Sequence, residues 1–64
     1  MVKDKIAEYL HKNGIKQKFI ADQADMTQAS ISGVVSGKRD LEVEEYVRIC
    51  DALNVPYDYF MRTL

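Results

Sequence analysis

The sequence predicts an all-α domain of five short helices. Three observations carry this. Apolar residues recur at spacings of three and four and nowhere alternate in the period-two pattern of a strand. Turn and cap signals at Asn13-Gly14, Asp25-Met26-Thr27, Ser36-Gly37 and Asn54-Val55-Pro56 cut the chain into short pieces. Finally, a chain of 64 residues buries only about 60% of the surface its unfolded form exposes, enough for one small core and a single domain over 1–64.

Each element has its own justification. In the first, Val2, Ile6 and Leu10 recur every four residues on one helical face, and Asn13-Gly14 supplies a left-handed stop, so a helix is expected over roughly 2–12. The second, Gln17 to Ala24, places Ile20, Ala21 and Ala24 on one side and ends at a tight corner, Asp25-Met26. Thr27 then suits an N-cap, its hydroxyl accepting from the free N–H groups of a helix start. The third helix turns Ile31, Val34 and Val35 inward and ends at Ser36-Gly37. A fourth, starting between Asp40 and Val43, carries Val43, Tyr46, Val47, Cys50 and Leu53 at helical spacing and closes at Asn54. Pro56 fits the first turn of a last short helix whose Tyr57, Phe60 and Leu64 dock on the core.

Composition removes several function classes. One cysteine, Cys50, excludes an internal disulfide and an all-cysteine zinc cage, and with one histidine, His11, a metal site has almost no ligands to draw on. No cofactor is expected. Cys50 lies on the apolar stripe of the fourth helix and reads as a small buried side chain, while His11 sits in the last turn of the first helix, where it suits the dipole. A chain this small has no room for a deep cleft and shows no nucleophile and base at workable spacing, so an enzyme is not expected. The segment MVKDKIAEYL mixes charges into its apolar pattern and resembles neither a signal peptide nor a membrane span. A soluble cytosolic protein is the expectation.

The second and third helices, joined by so short a corner over about 17–36, meet the requirement of a helix-turn-helix, and Ala21 leaves room for two helices to cross closely. Gln17, Ala21, Met26-Thr27-Gln28, Ile31 and Ser36-Gly37-Lys38-Arg39, followed by Val43 to Phe60, resemble the lambda-repressor-like (XRE-type) helix-turn-helix domains of phage repressors and Cro proteins, over about residues 5–60. The resemblance implies a compact five-helix DNA-binding domain that pairs as a two-fold dimer on an operator. Three positions depart from the common pattern. Asp25 stands at the corner where family members often carry Gly, and Leu10 and Val35 stand where many carry an Arg–Glu pair.

The net charge of −1 is unevenly distributed. Residues 1–10 balance. Between 11 and 40, five cations (Lys12, Lys16, Lys18, Lys38, Arg39) face three carboxylates (Asp22, Asp25, Asp40), a net of +2. Beyond 40, Arg48 and Arg62 face Glu42, Glu44, Glu45, Asp51 and Asp58, a net of −3. Phosphate attraction depends on local basic charge at the docking face, so the whole-chain figure permits DNA binding and predicts weak non-specific affinity.

On the third helix the first-turn residues, and those three to four further on, face the groove. Gln28 is the base-reading candidate, since its amide matches the N6 and N7 edge of adenine. Ala29 suits a thymine methyl, although an exposed alanine on any helix looks the same. Ser32 discriminates poorly. Gly33 reads nothing; it either permits close approach to DNA or is a tolerated surface glycine. Lys16, Gln17, Thr27, Ser36, Lys38 and Arg39 are the candidate phosphate contacts, with Gln17 at the start of the second helix. Val55, Pro56, Tyr57 and Tyr59 form the candidate contact of a weak homodimer stabilised on DNA. A second reading is an interaction module, as in some antitoxin and regulator partners, that binds another protein and DNA only weakly; Glu42, Glu44, Glu45 and the small side chains of the recognition helix give it weight.

Overall fold

A computed structural model describes residues 2–62. Four helices follow in order, α1 (Val2–Lys12), α2 (Gln17–Gln23), α3 (Gln28–Val35) and α4 (Val43–Leu53), and there is no strand among the described residues. The caps fall where turn chemistry puts them. Gly14 takes a φ of +63° after α1, and the Ile15 N–H returns to the Leu10 carbonyl at 2.9 Å. Thr27 Oγ1 accepts from the Ser30 N–H at 3.0 Å at the start of α3. Asn54 closes α4 in the left-handed region at φ 58°. At the start of α4, Glu42 and Glu45 form a reciprocal capping box, which satisfies two otherwise orphaned N–H groups.

The core is a single cluster of Ile6, Leu10, Ile20, Ala21, Ala24, Ile31, Tyr46, Ile49, Cys50 and Phe60. It draws on all four helices and the C-terminal turn. Val35 packs against this cluster and Leu10 lies within it, so the positions that carry an Arg–Glu pair in many relatives are apolar and core-facing here. That arrangement avoids the desolvation a buried ion pair must overcome.

Three expectations are corrected. The stretch after Pro56 is a run of turns and not a fifth helix. In an α-helix the Tyr57 carbonyl would accept from the Met61 N–H; instead it accepts from the Tyr46 hydroxyl, and Met61 N–H goes to the Asp58 carbonyl at 3.0 Å. Tertiary anchoring has taken the acceptor that a helix needs. Phe60 is nonetheless buried as expected, with its ring edge-to-face against Tyr9, Tyr46 and Tyr59; the expected docking of Leu64 lies outside the described residues. Second, Val43 is 81% exposed. It shares the angular stripe of Tyr46 and Cys50, but the first turn of α4 stands clear of the core. Third, Tyr57, expected to dock on the core, is 52% exposed, while Ile49, not among the expected core positions, is a fully buried core residue.

Candidate nucleic-acid interface

The helix-turn-helix is built by α2, a three-residue corner after its Ala24 cap, and α3. Asp25 adopts φ 56°, the left-handed conformation expected at the corner, which Asp tolerates better than most residues. The Met26 N–H returns to the Ala21 carbonyl at 2.8 Å and locks the angle between the helices. Ala21 is 1% exposed beneath α3, in the most extensive helix–helix contact of the fold. Ile31 and Val34 anchor α3 from below. The opposite face is thereby fixed outward, with Ala29, Ser32 and Ser36 exposed on it and Gln28 exposed beside it in the first turn.

The candidate phosphate contacts divide into free and engaged groups. Lys16 and Lys38 are exposed, and Gln17 is half-buried in the first turn of α2, whose N-terminus has no side-chain cap. Ser36 Oγ lies 3.3 Å from the Gly33 carbonyl and donates to it. The Thr27 hydroxyl accepts from the Ser30 N–H and donates to Ser30 Oγ at 2.9 Å, so both its functions serve the cap.

Arg39 is engaged throughout. Its guanidinium makes two parallel hydrogen bonds to Glu45, Nη1 to Oε1 at 3.1 Å and Nη2 to Oε2 at 3.0 Å. This pair holds the Glu45 carboxyl below the usual carboxylate range and raises the Arg39 guanidinium above its ordinary value. The Arg39 carbonyl accepts from Lys3 Nζ at 3.2 Å, and the same ammonium lies 3.6 Å from Asp40. Gly33 also has a reason internal to the chain: a Cβ added there would lie 3.0 Å from Arg39 Cδ and 3.1 Å from Cγ. The arginine stem crosses the space that a residue-33 side chain would need. Glu45 and Lys3 were missed in the sequence because their role depends on where the α3–α4 connection runs. The Glu42-x-x-Glu45 spacing of a capping box is the sequence signal that could have singled out Glu45.

The candidate self-association residues lie after α4, at the start of the C-terminal turns. Tyr57 is half-exposed, with its hydroxyl donating to Asp51 Oδ1 at 2.7 Å. Tyr59 stacks edge-to-face on Tyr9 and carries the Arg62 guanidinium 5.8 Å from its ring centre. Val55 packs on the core and Pro56 is exposed. A separate open groove, about 630 Å³ in volume and mostly apolar, is lined by Val2, Leu41, Val43, Tyr46 and Met61, with Lys3 and Asp40 at its rim.

Two helices crossing at a short corner, with the second presenting a fixed outward face of small and amide side chains, define a helix-turn-helix DNA-binding domain. The helix-turn-helix family of XRE, Cro and C1 type matches residues 6–60, nearly the whole chain, and the protein belongs to it. The family is non-catalytic, and membership implies DNA binding and transcriptional regulation. No curated protein matches the chain. Among the described residues no helix is long and apolar enough to cross a membrane.

Proposed function

We propose that the protein is a sequence-specific regulator of the phage-repressor or mobile-element kind, which inserts α3 into the major groove of an inverted-repeat operator. The observation that carries this reading is the exposed surface of α3, where Gln28 stands in the first turn with no hydrogen bond among the described residues claiming its amide, followed by Ala29 and Ser32. An amide there matches the donor and acceptor edge of adenine, and small neighbours let the helix approach closely. Lys16, Gln17 and Lys38 surround this face and are the phosphate contacts that orient it, joined by Ser36 when its hydroxyl turns from the Gly33 carbonyl to a phosphate. Arg39 and Thr27 have their polar groups committed within the chain and contribute by holding the frame.

One short helix reads few base pairs, so two copies related by a two-fold axis are required, with recognition helices about 34–36 Å apart. Val55, Pro56, Tyr57 and Tyr59 supply the self-contact, a patch small enough that pairing occurs on DNA. Selection of bound genomic fragments followed by sequencing tests the reading: an inverted repeat is expected. Gln28→Ala is expected to cost about 1–3 kcal/mol on that site and to relax preference at one base position. Uniform loss on all sequences removes Gln28 as a reader.

The apolar groove beside Val43 favours one alternative, a helix-turn-helix used chiefly to bind another protein. Under that alternative the selection returns no sequence preference.

A further inference from the structure

We propose that Glu45 tunes the strength of DNA binding: by holding the guanidinium of Arg39, whose stem crosses the outward side of α3 at Gly33, in an ion pair, it lowers sequence-independent DNA binding and leaves base reading intact. The inference rests on the DNA-binding reading above and adds to it a residue outside the helix-turn-helix.

Successive residues of a helix are rotated by about 100°, so with Ile31 and Val34 in the core, Gly33 lies on the side turned away from it. Arg39 reaches that side, since its Cδ and Cγ lie 3.0 and 3.1 Å from where a Cβ of residue 33 would stand. Its main chain is fixed there by two bonds, its N–H to the Gly33 carbonyl at 3.2 Å and its own carbonyl to Lys3 Nζ at 3.2 Å. The guanidinium then meets a carboxylate that is itself immobilised. Glu45 Oε1 also accepts the Glu42 N–H at 3.1 Å, so the carboxylate cannot swing away without uncapping α4. With a side chain only 13% exposed, Glu45 is shielded from the solvent that would weaken the pair.

A carboxylate and a phosphate occupy the same planar fork of an arginine. Glu45 therefore fills the site on Arg39 that a DNA phosphate would take. Arg39 is the one guanidinium between residues 17 and 39, and it is matched before DNA arrives. The release of counterions scales with the phosphates a protein neutralises, whatever the sequence, so withdrawing one cation lowers affinity for every DNA alike. Gln28 reads by hydrogen bonds to base edges and is untouched, so the ratio between sites is kept while the affinity for all of them falls.

The test is the salt dependence of the full chain on a fluorescent duplex of mixed sequence, followed by anisotropy. Glu45→Gln keeps the acceptor that α4 needs and removes the charge. Its slope of log affinity against log salt is expected to steepen by about 0.9 unit, equivalent to a three- to fourfold additional loss of affinity between about 50 and 200 mM salt. The double variant Arg39→Gln/Glu45→Gln is expected to return to the wild-type slope, which a purely structural role for Glu45 does not predict. Arg39→Gln alone supplies an arm independent of whether Glu45→Gln folds: its slope should stay at the wild-type value, whereas a free clamp would lose about one unit. An unchanged slope in a folded Glu45→Gln, an equally steep slope in the double variant, or a shallower slope in Arg39→Gln overturns the proposal while leaving DNA binding in place. Absence of any binding by wild type and variants at low salt overturns both readings together.

Discussion

Replacing Gly33 with Ala sets two effects of similar size against each other, and the structure says which residue decides the outcome. Gly33 lies inside α3 with a helical backbone, where Ala is favoured by about 0.8–1 kcal/mol. The new methyl carbon would stand 3.0 Å from Arg39 Cδ and 3.1 Å from Cγ, against a comfortable carbon–carbon separation of about 3.5–4.0 Å. The stem must retreat by about half an ångström or more. An unrestrained arginine would do so at little cost, but this one is tied to Glu45 by bonds of 3.1 and 3.0 Å, and the pair is only partly exposed. Distorting it forfeits much of an interaction worth about 0.2–1 kcal/mol. Gly33→Ala in the wild-type background is therefore expected to change stability by less than about 0.5 kcal/mol, because the propensity gain and the disturbed pair offset each other. In an Arg39→Ala background the obstacle is gone, and the same substitution should stabilise by about 1 kcal/mol, which raises the melting temperature of so small a domain by about 4–8 °C. Urea and thermal unfolding of the four proteins, followed by far-UV circular dichroism, close the double-mutant cycle. Equal stabilisation in both backgrounds would refute the reasoning, for it would mean that the stem does not occupy the space above Gly33.

Two further outcomes follow from the core. Ala21→Leu forces three extra heavy atoms between α2 and α3 at a site 1% exposed, and should destabilise the domain by about 1–3 kcal/mol in the same assay; wild-type stability would show that the corner opens freely. Burial is the main cause that pushes the Tyr46 phenol up to about 12. The neutral form is thus favoured in the folded state, and the stabilisation is complete below the ordinary tyrosine value near 10 and lost as pH rises from there to about 12. Alkaline unfolding centred in that window is expected for the wild type, and Tyr46→Phe should shift it to higher pH while costing about 1 kcal/mol at neutral pH for the lost bond to the Tyr57 carbonyl. An identical alkaline limb in both proteins would assign it to other groups.

Local chemistry was legible in the amino-acid sequence because it depends on residues a few positions apart. The four helices, the left-handed stops at Gly14 and Asn54, the strained corner at Asp25 and the Thr27 cap all follow from backbone conformation and hydrogen bonds within one turn, and the structure has each of them. The outward face of α3 was legible for the same reason, since helical period sets Ala29 and Ser32 away from Ile31 and Val34, while Gln28 is exposed in the first turn. Where several elements meet, the sequence was silent. Pro56 announces a helix, but the Tyr46 hydroxyl, a partner from another element, takes the carbonyl that the helix would use. Val43 fits the apolar period of α4, yet burial requires something opposite it, and the core begins one turn later, at Tyr46. Arg39 has the composition of a phosphate clamp and the geometry of half an ion pair, because the path of the α3–α4 connection lays its stem over Gly33 and delivers its charge to Glu45. Charge and period are properties of the chain, whereas which groups neutralise or bury one another is decided by distances in space that only the packed helices set.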